Sequence, residues 1–223
     1  MLKFTPLSDN LEQKLFCTQS CIVEYSVINE DLHQLYNFCL NFQSSTLDKI
    51  NSLKEEKTNL ESDLFKIQCE YDGLEFRSID FIHGLEEFEI PTWDNSYNFI
   101  VPLNQLLLIS IFLEKSLKSL CSEYSPENNS DFYGGYKIVL QSKRKSKIET
   151  YINYLKTVCN LEIKLSQEIL LFLDQTRNVR NAFVHGDWDE IGQMFIDFNS
   201  NESFIIVSKL LEEIEKAYMK NVS

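Results

Sequence analysis

The sequence predicts an all-helical protein, and three features of its 223 residues support that fold class. Only six glycines and four prolines are present, too few for the many tight turns of an all-β fold. Apolar residues recur at steps of three and four over long stretches, which is the spacing of one helix face. Hydrophobic residues make up 43% and charged residues 25%, which is ordinary for a globular protein.

The N-terminal part, residues 1–95, is predicted to form a long helical arm of coiled-coil-like character. Ten of twelve positions at alternating steps of three and four over residues 50–88 are apolar, with Glu and Lys crowded between them. Gly73 and Gly84 leave open whether the arm is one long helix or two stacked helices. Pro91 predicts a firm end. A seam of this length requires a partner helix, from the same chain or from a second subunit.

Residues 96–223 are predicted to form a helical bundle. Leucines at helical spacing predict a helix over 102–121, with a proline at its start. The pattern resumes over 148–173, with a break near Asn160. A last amphipathic helix is expected over 206–218.

Several features indicate a cytoplasmic protein without a metal or another cofactor. The N-terminus has no basic stretch followed by an apolar core, as a signal peptide would have. The most apolar run, Leu106–Leu113, is too short to span a bilayer. The six cysteines include no Cys-x-x-Cys pair, which favours reduced thiols over disulfides or a zinc site.

The formal charge of −13 argues against broad, salt-driven nucleic-acid binding. Any contact with nucleic acid must therefore be local. The one dense basic cluster contains Lys143, Arg144 and Lys145, immediately before a predicted helix. It is a candidate RNA-binding element, and a solvated loop is the alternative interpretation.

A predicted helix late in the chain carries residues suited to phosphodiester chemistry. Arg177, Asn181 and His185 are spaced by four residues, so they lie along one helix face. Arg180 lies elsewhere around the helix, but its long side chain can reach a phosphate near the helix end. A guanidinium can hold two phosphate oxygens, and an imidazole can move a proton to or from a ribose oxygen.

The same helix also has a predicted end and a predicted core side. Gly186 follows His185 directly, and glycine adopts the left-handed conformation that ends helices without strain. The side facing the core is expected to consist of Val179, Ala182 and Phe183.

The run Arg180-Asn181-Ala-Phe-Val-His185 resembles the signature of the HEPN superfamily. In that signature an arginine is followed by a polar residue, and a histidine comes four to six residues after the arginine. The position of the motif late in a helical bundle and the earlier helix around Leu106–Leu120 also resemble that fold, over roughly residues 100–220. The resemblance implies a HEPN-type bundle, a homodimer that pairs two motifs into one composite site, and RNA cleavage without metal.

The resemblance further implies a function of the toxin–antitoxin or anti-phage type, with tRNA or mRNA as substrate and a cognate antitoxin or other protein as partner. His185 and Arg180, assisted by Asn181, would be catalytic, and Arg177 would contact RNA. Attack by the ribose 2′-hydroxyl would leave a 2′,3′-cyclic phosphate and a 5′-hydroxyl. The alternative is a non-catalytic HEPN module that binds a nucleotide or a protein, and a third interpretation is an acidic structural adaptor.

Other residues that match or adjoin the motif rank lower. A second match, from Arg77 to His83, has serine after its arginine and lies in the arm that the resemblance does not cover. The motif cluster could instead be structural, paired with a carboxylate such as Glu114, for which a salt bridge is favoured over an acid–base role. Trp188 is interpreted as a packing anchor rather than a base-stacking platform.

Overall fold

A computed structural model describes residues 4–123, 146–194 and 198–222, and it is predominantly helical, as the sequence predicts. A short 3₁₀ turn, Glu12–Lys14, precedes the first helix. The described elements are α1 (Val23–Glu61), β1 (Ile67–Tyr71), β2 (Leu74–Arg77), α2 (Ser78–Gly84), α3 (Ile90–Asn95), α4 (Val101–Glu123), α5 (Lys147–Thr157), α6 (Gln167–His185), α7 (Trp188–Met194) and α8 (Ser200–Val222).

One continuous core joins the N-terminal segment to the bundle. Each main helix contributes fully buried apolar side chains, among them Leu32, Leu113, Leu155, Val179 and Leu211. The segment before α1 adds Leu7, Leu11, Leu15 and Phe16 to the same cluster. Residues of the predicted arm and residues of the predicted bundle therefore share one core. Burial of their apolar surface is the main favourable term in folding.

The bundle helices follow the sequence prediction closely. The expected helix 102–121 is α4, and the expected terminal helix lies within α8. The predicted break near Asn160 separates α5 from α6, and Asn160 itself has a φ of +55°. Asparagine tolerates this left-handed conformation better than most residues do.

The prediction of a helical arm is wrong over residues 62–77, where a non-helical segment, 62–66, leads into a β-hairpin, Ile67–Arg77. β1 and β2 pair antiparallel, with Tyr71 opposite Leu74. The two residues between them, Asp72 and Gly73, both have positive φ values, 55° and 76°, which is the geometry of a type I′ turn. All nine strand residues are exposed, so the apolar seam has no partner helix here.

The predicted helix end at Pro91 is also wrong, because the chain stays helical from α2 through α4. Two π-helical segments, Leu85–Glu89 and Ser96–Ile100, lie between the α-helical parts. The Ile90 amide donates to the Leu85 carbonyl, five residues back. The wider π turns change the register of the backbone hydrogen bonds next to Pro91. Without this change, the missing N–H of Pro91 would interrupt the series of helical hydrogen bonds.

This continuous stretch, Ser78–Ser122, is long and apolar enough to cross a membrane when judged by length and composition alone. It is much longer than the run Leu106–Leu113 on which the sequence argument rested. Half of its most apolar window is buried inside the protein. The core helix of a soluble protein has the same properties, so the structure is compatible with a soluble protein.

Candidate functional site

The helix α6 carries the motif, and its own sequence defines both of its ends. Ser166 caps the first turn by accepting a hydrogen bond from the Ile169 amide at 3.3 Å. At the other end Gly186 has a φ of +77°. The Asp187 amide donates to the Ala182 carbonyl at 2.9 Å, and the Gly186 amide donates to the Phe183 carbonyl at 3.2 Å. These two bonds form a Schellman motif, so the predicted helix end after His185 is confirmed.

The core side of α6 differs from the prediction at one residue. Val179 and Ala182 are buried, as expected. Phe183 is 41% exposed and packs edge-on against Trp188, with ring centroids 5.8 Å apart. Its neighbour Val184 is 70% exposed. The helix end therefore presents an apolar surface outside the core.

His185 and Asn181 lie at this same helix end and are exposed. Within the described residues, neither side chain makes a hydrogen bond or an ion pair. Toward the rest of the described chain, the ring keeps two unused nitrogens and the amide keeps both a donor and an acceptor.

Arg180 faces the neighbouring helix α4 instead of the exposed helix end. Its guanidinium donates to Oε1 of Glu114, a carboxylate whose side chain is only 18% exposed. The other oxygen of Glu114 lies 3.6 Å from Nζ of Lys147, at the start of α5. The ion pair that the sequence analysis favours for Glu114 is thus present, and it joins three helices.

Arg177 is also held by carboxylates, one turn earlier on α6. Its guanidinium contacts Asp174 and lies 3.4 Å from Oε1 of Glu149 on α5. The second oxygen of Glu149 accepts from the Ser146 amide at 2.9 Å, and Ser146 Oγ accepts from the Glu149 amide at 3.1 Å. This reciprocal capping box fixes the carboxylate that orients the arginine.

The two proposed catalytic groups do not converge within one chain. Arg180 and His185 are five residues apart, which places them about 140° apart around an α-helix. Arg180 is directed towards Glu114, whereas His185 faces solvent. A site that uses both groups on one phosphate needs either a second copy of the motif or a movement of Arg180.

Trp188 begins α7 directly after the motif. It is 50% exposed, and its ring lies between those of Phe183 and Phe99, at 5.8 and 6.3 Å. These contacts agree with the interpretation as a packing anchor, although half of the side chain remains open to solvent.

The second motif match is dispersed over the hairpin and α2. Arg77, at the end of β2, pairs with Glu75 at 3.3 Å. His83 lies on α2, and its Nε2 is 3.5 Å from Glu87. Both side chains are substantially exposed and each has its own carboxylate, so no contact brings them together.

The basic residues Lys143, Arg144 and Lys145 lie outside the described residues. Lys147, the last residue of the basic run 143–147, and Glu149, which sequence reasoning did not select, do adjoin the motif helix. The spacing Ser146-x-x-Glu149 is a helix-start signal and could have located both of them at the start of α5.

The cysteines are free thiols. Burial raises the pKa of Cys39 to about 12 and that of Cys159 to about 11. Among the described residues, no group of three or more His, Cys, Asp or Glu side chains could hold a metal ion.

Comparison with known proteins adds no relative. No family model matches the chain, and neither the curated proteins nor the solved structures contain a significant match.

Proposed function

We propose that this protein is a metal-independent endoribonuclease that acts as a homodimer, with one HEPN-like motif from each subunit in a composite site. The observation that carries the proposal is the end of α6. There an exposed imidazole, His185, which has no hydrogen-bond or ion-pair partner among the described residues, stands next to an exposed amide, Asn181, at a helix end anchored to the core. An imidazole in this position can exchange a proton with a ribose hydroxyl.

The apolar surface beside the imidazole supports the dimer. Phe183, Val184 and Trp188 are 41%, 70% and 50% exposed, and they surround the helix end. A second copy that covered this surface would remove apolar area from water. It would also bring a second motif close to the first. One chain cannot place both catalytic groups on one phosphate by itself, because Arg180 and His185 point in different directions.

In the proposed reaction, His185 takes the proton of the ribose 2′-hydroxyl or gives one to the leaving 5′-oxygen. Arg180 stabilises the charge that develops on the phosphorus oxygens. The guanidinium has five N–H donors, so contact with Glu114 leaves donors for a phosphate. Because the nucleophile belongs to the substrate, the reaction needs no activated water. We place the protein in the cytoplasm, in a toxin–antitoxin or anti-phage system, with tRNA or mRNA as substrate and a cognate antitoxin as partner.

The test is RNA cleavage by purified protein in the presence of EDTA. His185→Ala and Arg180→Ala are each expected to lower the cleavage rate about 10²–10⁴-fold, since proton transfer and charge stabilisation have effects of this size. Arg180→Lys is also expected to be poor, because an ammonium cannot make the two-pronged phosphate contact. His83→Ala and Arg77→Ala are matched controls, which are expected to retain activity. Activity that requires magnesium, or that survives His185→Ala, contradicts the proposal.

A second candidate function is favoured by the hairpin. Ile67, Tyr71 and Leu74 are 49%, 76% and 63% exposed on a two-stranded sheet whose outer edges are unpaired within the described residues. An exposed apolar edge can add a strand from another protein. A non-catalytic module would bind a protein or nucleotide partner and leave RNA intact, so the cleavage assay separates the two functions.

A further inference from the structure

A groove of about 400 Å³ lies between α5 and α6, on the opposite side of Arg177 from the motif. Its apolar wall consists of Ile152, Leu165, Leu170 and Leu173. Leu170 is 46% exposed, so this wall is open to solvent although Ile152 and Leu173 are buried beneath it. The groove thus offers an open apolar wall.

The polar groups of the groove have unused hydrogen-bonding capacity. Lys156 and Asn153 line it, and within the described part of the chain neither side chain makes a hydrogen bond or an ion pair. Arg177 and Glu149 line it as well, and these two form an ion pair, so the groove carries two cations and one carboxylate. Because the carboxylate is paired with Arg177 while Lys156 has no ion pair among the described residues, the polar side of the groove is net positive. This lining, beside the apolar wall, suits a ligand that combines a flat apolar ring with an anion.

The groove is aligned with the candidate catalytic helix end. Arg177, Asn181 and His185 follow one another at four-residue steps along α6, a distance of about 12 Å from first to last. A stacked nucleic-acid strand rises about 3.4 Å per nucleotide, so about three to four nucleotides cover this distance. One strand could therefore reach from the groove to the imidazole.

We propose that the α5–α6 groove binds one nucleotide of the RNA strand, with its base against Leu170 and its phosphate facing Lys156 and Arg177. This inference rests on the proposed ribonuclease function. It adds a subsite away from the cleaved bond, which selects single-stranded RNA because only an unpaired base can enter the groove.

The experiment measures binding of a fluorescein-labelled, unstructured RNA of about twelve nucleotides to the full chain carrying His185→Ala, so that the RNA stays intact. Lys156→Glu is expected to weaken binding at least about tenfold. Lys49→Glu, with the same charge change at an exposed lysine of α1 that forms no ion pair with another described residue, is the control and is expected to change binding little. Lys156→Gln, compared with Lys49→Gln, repeats the test without placing a negative charge in the last turn of α5.

A second pair of variants tests the apolar wall. Leu170 and Leu171 are adjacent and exposed, but only Leu170 lines this groove. Leu170→Glu is expected to weaken RNA binding about tenfold because a carboxylate would lie against the base, whereas Leu171→Glu keeps the parental affinity. Circular dichroism melting shows that each variant is folded before its affinity is compared.

Competition identifies the ligand chemistry. Adenosine 5′-monophosphate is expected to displace the labelled RNA at lower concentration than adenosine or inorganic phosphate, because the groove contacts both base and phosphate. Equal effects of the two lysine variants, or of the two leucine variants, would overturn the proposal. If the groove variants lose binding while the wild-type chain leaves RNA uncut in EDTA, the groove is retained and the ribonuclease function fails.

Discussion

Replacing Glu114 with glutamine tests whether Arg180 is a phosphate-binding group or a purely structural one. The carboxylate holds the Arg180 guanidinium and lies 3.6 Å from Lys147, so the change releases two cations at once. An amide of nearly the same shape keeps the packing of a side chain that is only 18% exposed. The two interpretations then predict different RNA affinities.

The expected cost in stability is small. The Arg180 side chain is 39% exposed, so solvent screens the ion pair, and such pairs contribute up to about 1 kcal/mol. In a chain of this size, 1 kcal/mol corresponds to a decrease of about 2–4 °C in the melting temperature. Glu168→Gln is the matched control, because that carboxylate pairs with Lys209 on the surface, at 2.9 Å.

The expected gain is in RNA binding. The salt dependence of binding is the slope of the logarithm of the RNA-binding constant against the logarithm of the salt concentration. If the two released cations both reach phosphates, this slope becomes steeper by about 1.4, at about 0.7 per phosphate on a single strand. The assay is fluorescence anisotropy with labelled RNA across a series of salt concentrations, in the His185→Ala background. If Glu114→Gln lowers the melting temperature but leaves RNA affinity and its salt dependence unchanged, Arg180 is structural and the catalytic assignment is refuted.

Three further predictions concern association, the helix end and the buried thiols. Val184→Glu is expected to convert the proposed dimer to folded monomers in light scattering, whereas Val23→Glu, at a similarly exposed valine of α1, leaves association unchanged. Gly186→Ala is expected to lose roughly 1–2 kcal/mol of unfolding free energy in denaturant titration, because its φ is +77°; Gly192→Ala, within α7, is the strain-free control. Burial raises the pKa of Cys39 from 9.0 to about 12. The contribution of the protonated Cys39 thiol to the free energy of unfolding is therefore complete below pH 9. It is lost as the pH rises towards 12, by about 1.4 kcal/mol per pH unit. In Cys39→Ala the free energy of unfolding should decline less steeply over this pH range.

The helices of the bundle could be predicted because their signals are local. Apolar spacing predicted α4 and α8, and Gly186 predicted the end of α6 to the residue. The hairpin was missed although its turn signal, Asp72-Gly73, is in the sequence. Ile67, Tyr71 and Leu74 fit helical steps of four and three, while Ile67, Cys69 and Tyr71 also alternate as a strand does. A short apolar run satisfies both periods, so periodicity alone could not decide between them.

In the candidate site, too, local features could be predicted from the sequence and features that depend on packing could not. Sequence spacing predicted that Arg177, Asn181 and His185 share one face of α6, because helix geometry depends only on neighbours in the chain. It could not predict that Phe183 would lie outside the core, since burial depends on which helices pack against α6. The exposed apolar surface at the motif became visible only in the folded chain.

The sequence by itself determined where α4 and α8 form, where α6 ends and which chemical groups stand at that end, since these are properties of residues within a few positions of each other. Only the tertiary structure decided what Arg180 contacts. Its partner Glu114 lies 66 residues earlier in the chain, and Lys147 reaches the same carboxylate from a third helix. Ion pairs of this kind require side chains within about 4 Å, a separation set by how α4, α5 and α6 pack and by no pattern along the sequence.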